Sequence, residues 1–416
     1  MISCATQTIC TIIASFAVIA VLATWGLGAV TALTARYARV NRDETLDRFL
    51  RRRASLLTIV PMSVTAVLVN VWFVIESFTN PITTSTITHT LMWFFALQGI
   101  AFIVQATAAL MFVHGWEKLP AKHHVTVSYI YAATSLIPVI VLAIIASFMT
   151  MPGTWVETFN IWDALMVPLA VPLFVISAAW GLVIGSALFM LVTNVTNKMT
   201  ALEHDALERR TLPALVIAAI SVPFLPLVVM VMAPLNIEIP SAMSWGLVLA
   251  AAALCFIVAA RFVRRESLGF AGSLVTALVA MAAAAAVTQS VSAINAPYTI
   301  RNYLFNNEIT VHDVPVLRRK GVLTDAVSIV PQGIDLTRTV SVQRGRWAFL
   351  ASGYECNPSC TGERLMKLTN LLGKDAMRKV LREPSTLLLT IPPFMGTEDE
   401  LDDLAEYLAT TQEENQ

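Results

Sequence analysis

The residues of this 416-residue chain best suited to chemistry are its 6 histidines and 5 cysteines, the side chains that most often hold a metal or an iron porphyrin. His89 and His114 lie 25 positions apart. On one helix that is about 37 Å, too far to share an ion. His114 and His124 stand at the facing ends of consecutive apolar runs and can meet across a hairpin. They are the metal or haem candidate pair, set against the commoner reading of interfacial histidines that meet water or headgroups. His123, His204 and His312 fall in polar segments and read as solvated. Gln98 and Gln105 differ by seven positions, so a helix puts them on the same side. A carboxamide hydrogen-bonds but carries no proton at ordinary pH.

The elements that must position these groups are apolar. Hydrophobic residues make up 56% of the chain and charged residues 13%, against about 25% charged in soluble domains. This excludes an ordinary soluble enzyme, a disordered chain and a nucleic-acid binder. Eight runs are long enough to cross about 30 Å of hydrocarbon. They are residues 9–35, 55–78, 89–112, 125–149, 164–192, 212–232, 242–263 and 269–291. Glu76 is their one ionisable carboxylate and lies near an end. Arg36 is the first positive charge and follows the first run, which reads as a retained helix rather than a cleaved leader. Fifteen Lys and Arg crowd the loops after runs one, three, five and seven, and the alternate loops hold none. The basic side is therefore expected in the cytoplasm, and both termini in a bacterial periplasm. Gly181 and Gly185 in run five suit close helix packing. Cys4, Cys10 and Cys255 read as packing residues. Trp72, Trp93, Trp116, Trp155 and Trp162 fall near span ends and read as an interfacial belt.

Composition changes at about residue 295. Residues 295–340 read as an irregular connector with strand-like pieces such as 322–330, and residues 341–416 as a small helical domain. Trp347, Leu350 and Tyr354 share one helical face, and Leu365, Leu368 and Leu371 or Leu372 repeat the period. Thr397-Glu398-Asp399-Glu400 is a capping-box pattern, followed by the stripe Leu401, Leu404, Ala405 and Leu408. The fold class is all-α: a polytopic membrane bundle over residues 1–294 with a small C-terminal helical domain.

Gly115-Trp116-Glu117-Lys118-Leu119, then His124, then an apolar run to Met151-Pro152-Gly153-Thr154-Trp155, resembles subunit I of cytochrome bd-type quinol oxidases. It is closer still to bd-like proteins fused to a cytochrome c domain. The likeness extends over most of residues 9–320 and is strongest from Trp93 to Trp155. In the tail, Arg344-Gly345-Arg346-Trp347-Ala348-Phe349 resembles the first helix of a class I cytochrome c. Ile391-Pro392-Pro393-Phe394-Met395-Gly396 and the helix after it resemble that fold's axial-ligand loop and last helix.

The resemblance also marks what has been replaced. Ile19 stands where the family has its first-span haem histidine, and Gln98 and Gln105 stand where it has two glutamates tied to quinol chemistry and proton delivery. No histidine lies between His124 and His204, so the fifth-span ligand has no counterpart. Asn295-Ala296-Pro297-Tyr298 resembles the family's Arg-Gln-Pro-Trp without its arginine. Covalent haem c needs Cys-x-x-Cys-His. Here Cys356 and Cys360 are one residue too far apart and the histidine is missing. Ile391 takes the place of the distal methionine, with Met395 beyond the prolines. A Cys356–Cys360 disulfide is the expected use of the pair in an oxidising compartment.

The resemblance therefore implies a haem-less scaffold subunit of a respiratory electron-transfer complex, not an enzyme by itself. No catalytic residue, metal or cofactor is expected. Its expected partners are other membrane and periplasmic subunits, haem proteins among them, and no nucleic acid. The alternative is a quinol-linked electron-transfer subunit that binds haem b or haem c through non-standard ligands such as His114, His124 or a methionine. A transporter is a third class, disfavoured because the spans offer no charged pathway. A lipid or quinone pocket lined by Gln98, Gln105 and His89 fits any of these. Its competitor is simple hydrogen bonding of the glutamines to neighbouring helices.

Overall fold

The computed structural model describes residues 4–165, 167, 169–195, 252, 269–324, 326, 329–330, 336, 339–354, 361–383 and 391–410. Helix α1 (Cys4–Val40) is 37 residues long and stops at a tight turn in which Arg42 takes φ 53°. Asp43 then caps α2 (Glu44–Leu57), its carboxylate accepting from the Thr45 and Leu46 amides at 3.1 and 3.2 Å. Leu46, Phe49, Leu50, Ala54 and Leu57 of α2 are buried. This amphipathic helix holds most of the arginine-rich loop. α3 (Ile59–Thr79), α4 (Pro81–Thr90), α5 (Met92–His114) and α6 (Ala121–Thr150) follow. The short helices α7 (Trp155–Thr158) and α8 (Ile161–Leu165) precede α9 (Ala170–Asn194), and α10 (Gly269–Asn295) closes the membrane part.

Six described helical stretches are long and apolar enough to cross a membrane. They overlap six of the eight expected runs. The fifth begins at Ala170 because residues 161–165 form a separate short helix. The run at 212–232, that at 242–263 apart from residue 252, and His204 and Cys255 lie outside the described residues. The molecule is a mostly α-helical, polytopic membrane bundle followed by a small helical C-terminal region.

Clustering of the backbone gives two units. The larger joins Ile13–Val74 to Thr86–Val291. Within it α1 and α9 approach closely: a Cβ on Gly26 would overlap the Gly181 carbonyl, and one on Gly185 would overlap the Gly26 backbone. The glycines of run five are thus a helix–helix contact. Trp25 Nε1 donates to the Ala178 carbonyl at 2.9 Å across the same seam. α3 is tied to α1 by Thr65, whose hydroxyl donates to the Ala20 carbonyl at 2.9 Å and meets the Thr24 hydroxyl at 2.7 Å. Trp93 and Trp162 are exposed, as an interfacial belt requires, whereas Trp155 is buried edge-on against Phe148.

The smaller unit joins Met1–Ile12, Ile75–Ser85 and Ser292–Gln416. Its strands are β1 (Tyr298–Ile300) and β2 (Leu304–Phe305), an antiparallel pair. They lie upstream of the strand-like stretch expected at 322–330, and among the described residues of that stretch there is no strand. Helices α11 (Val314–Lys320), α12 (Ser341–Ala351), α13 (Thr361–Leu372), α14 (Lys374–Arg382) and α15 (Glu398–Thr410) complete the tail. Their core contains Trp347, Phe349, Tyr354, Leu365, Met377, Ile391, Phe394, Leu401, Leu404 and Leu408. Leu371 and Leu372 are both exposed instead, and Thr369 takes the inner position and bonds the Leu365 carbonyl at 2.8 Å.

Candidate functional site

Ile19 is buried in α1 within an apolar cluster that includes Val139 of α6, Trp180, Val183 and Ile184 of α9, and Ala280, Ala283 and Ala284 of α10. A haem iron at this place needs an axial nitrogen or sulfur. Ile19 supplies neither; the cluster is otherwise hydrocarbon apart from the Trp180 indole and the thioethers of Met190 and of Met281, which packs against it.

On α5, Gln105 is buried and Gln98 is half-buried. Gln105 lies beside the Tyr131 hydroxyl. That hydroxyl, fully buried on α6, donates to the Thr58 carbonyl at 2.8 Å. Gln105 is thus a buried amide of α5 beside the Tyr131 hydroxyl, which ties α6 to the residue preceding α3.

His114 and His124 have different partners. His114 is exposed at the end of α5, its Nδ1 donating to the Leu110 carbonyl at 3.1 Å. His124 is buried, with Nε2 donating to the Phe112 carbonyl at 2.9 Å. Its ring stacks on Phe112 at 4.6 Å and tilts against Trp116 at 4.0 Å. Phe112 is the antepenultimate residue of α5, so its carbonyl has no partner within the helix. His124 satisfies it and closes the α5–α6 hairpin. Among the described residues, no three His, Cys, Asp or Glu are placed to hold a metal. His89 is exposed at the end of α4, and His123 is exposed in the first turn of α6, on a helix rather than in a loop.

In the tail, Met395 and Ile391 are both buried, and the Tyr354 hydroxyl donates to the Pro392 carbonyl at 3.0 Å inside the loop that holds them. Cys356 and Cys360 lie outside the described residues. α12 and α15 pack so closely that a Cβ on Gly345 would overlap the Asp403 carbonyl. Arg344 grips the buried Asp403 side chain with Nε at 2.6 Å and Nη2 at 2.9 Å, and that pairing raises the guanidinium's proton affinity further. The expected capping box is formed: the Glu400 amide donates to Thr397 Oγ1 at 3.2 Å, and the Thr397 amide donates to Glu400 Oε2 at 2.9 Å. The Glu400 carboxylate also accepts from the Val322 and Leu323 amides at 2.9 and 3.0 Å.

Sequence reasoning did not find Glu308. Its carboxylate accepts from the Ile82 and Thr83 amides at 2.7 and 2.9 Å and from the Thr83 hydroxyl, at the first turn of α4. Burial pushes its carboxyl above the usual range, against the pull of those hydrogen bonds. Asn80-Pro81 announces a helix start, but no local signal names an acceptor more than two hundred residues away.

No protein-family model matches this chain, and none of the curated proteins matches it. Among solved structures the chain is similar to the bd oxidase from Geobacillus thermodenitrificans, with a TM-score of 0.57 and 12% identity. The match covers 72% of this chain and 90% of that one. At this identity the likeness is one of fold.

Proposed function

We propose that the chain is a haem-less scaffold subunit of a respiratory electron-transfer complex. In this reading the bd-type bundle is kept as architecture and the C-terminal region serves as a docking domain descended from a cytochrome c. The chain is non-catalytic, its basic loops face the cytoplasm, and its termini face the periplasm. Other membrane and periplasmic subunits, haem proteins among them, complete the complex.

The observation that carries this reading is Ile19. The chain shares its fold with a bd oxidase over 72% of its length, yet the residue at the resemblance's first haem-ligand position is an isoleucine packed in an apolar cluster. Gln105, at a proton-delivery position of the resemblance, is buried beside Tyr131, and His124 is bonded to a backbone carbonyl. Each of these groups has structural work in place of redox work.

A pyridine-haemochrome assay of the isolated chain, beside its intact complex, tests the proposal. The expected result is no Soret absorbance attributable to this subunit. A stoichiometric b- or c-type haem held by this polypeptide overturns it in favour of the electron-transfer alternative with non-standard ligands.

A further inference from the structure

On two neighbouring elements the outer surface changes from apolar to cationic over a short distance. Where α2 meets α3, Val60 and Leu56 are exposed and apolar, and Arg52 and Arg48, at the same four-residue spacing, are exposed and charged. At the end of α5, Leu110 and Met111 are exposed and apolar, and His114 and Lys118 beyond them are exposed and polar. The ion pair of Arg51 with Glu117 ties α2 to the turn between α5 and α6, so the two transitions lie side by side. Leu56 and Arg52 are one turn apart, about 6 Å along the helix. That is close to the depth of one headgroup layer, roughly 5–7 Å.

Charge on this ledge is unbalanced. Residues 36–57 hold seven arginines, no lysine and three carboxylates. Lys118 and Lys122, both exposed, add to the cations from the α5–α6 side. Asp43 is engaged as the cap of α2 and Glu117 by Arg51. Among the described residues Arg48 and Arg52 have no ion-pair partner, although like charges four positions apart on a helix repel each other. A ligand that relieves this repulsion must be anionic. Because the cations border exposed aliphatic side chains, the ligand that fits both is anionic at one end and apolar at the other. A phospholipid has that form. A guanidinium gives phosphate oxygens two parallel hydrogen bonds, which suits a surface built on arginine.

We propose that this ledge binds the headgroup phosphate of an anionic phospholipid, held by Arg48 and Arg52 of α2 together with Lys118 and Lys122 beyond the Arg51–Glu117 pair. The site is independent of whether the chain holds haem and of which leaflet contains it.

Titration of the purified full chain in neutral detergent tests it, with dioleoylphosphatidylglycerol and dioleoylphosphatidylcholine as the two lipids and the thermal midpoint as the readout. The anionic lipid is expected to raise the midpoint, less so as salt is added, and the zwitterionic lipid to leave it in place. The measured quantity is the lipid concentration giving half the shift, which a lower starting midpoint does not move. Arg48→Gln combined with Arg52→Gln is expected to raise that concentration about tenfold or more. Lys118→Gln combined with Lys122→Gln is expected to raise it in the same direction. Arg318→Gln combined with Arg319→Gln, exposed cations of α11, is expected to leave it unchanged. Equal responses to the two lipids overturn the proposal, as does an unchanged half-shift concentration in both ledge variants. An equal shift with glycerol phosphate at the same concentration assigns the ledge to a soluble phosphate and also overturns it.

Discussion

Gly26, Gly185 and Gly345 lack a side chain because another backbone occupies the space a Cβ would need. Such sites cannot relax by moving a flexible neighbour, so even one methyl forces two helices apart. Gly185→Ala is expected to destabilise the bundle by about 2 kcal/mol or more, read as a lower midpoint of thermal unfolding in detergent. Gly99→Ala is the control. A Cβ there meets nothing within 4 Å, and alanine is the better helix former, so its midpoint is expected to hold or rise. Equal losses at both positions would mean that the close approach of α1 and α9 contributes nothing. Isoleucine at position 19 follows the same logic in a different chemistry. Introducing Ile19→His puts an imidazole into an apolar cluster, and the expected outcome is lost stability without gained Soret absorbance after haem supplementation.

Among the elements, α4 depends most on a distant residue. Its first-turn amides are orphans by helix geometry, and Glu308 accepts from two of them. Glu308→Ala is expected to cost about 1 kcal/mol or somewhat more and to speed amide hydrogen exchange at Ile82 and Thr83. The pH response follows from the direction of the shift. The carboxyl of Glu308 is raised in the folded chain because burial disfavours its charge. Its contribution to stability is therefore fully present below the ordinary glutamate value and is lost as pH rises through the higher folded value. Glu398 has the opposite sign. Arg382 and then Arg378 hold its carboxyl below the usual range, so its contribution is present at neutral pH and fades on acidification. Glu308→Gln is expected to remove the weakening on the neutral side and leave the acid side unchanged. Hydrogen exchange of Ile82, followed in both forms from below the ordinary glutamate value upward through neutral pH, checks this. An unchanged slope in Glu308→Gln would assign the titration elsewhere.

For the whole molecule, the distribution of charge makes a prediction about direction in the bilayer. Under the proposed topology the arginines of the α1–α3 connection stay in the cytoplasm and the tail is exported. With a membrane-impermeant thiol reagent on intact cells, Lys374→Cys in α14 is expected to label and Arg52→Cys in α2 to label only after lysis. Both positions are on the surface. The reverse pattern would invert the topology and place the C-terminal region in the cytoplasm.

The sequence by itself determined the apolar spans, the amphipathic tail helices, the capping box at Thr397 and an isoleucine, with no donor atom in its side chain, at position 19. Each is a local matter of transfer free energy, helical period or donor chemistry, written within one turn or one span. Only the tertiary structure decided that Gly26 meets Gly181 and Gly185, that His124 serves the Phe112 carbonyl, and that Glu308 completes the start of α4. These contacts join residues whose separation along the chain carries no information about their separation in space. Burial, not residue type, converts a polar side chain from a candidate ligand into a hydrogen-bonded part of the frame, and burial exists only once the helices have packed.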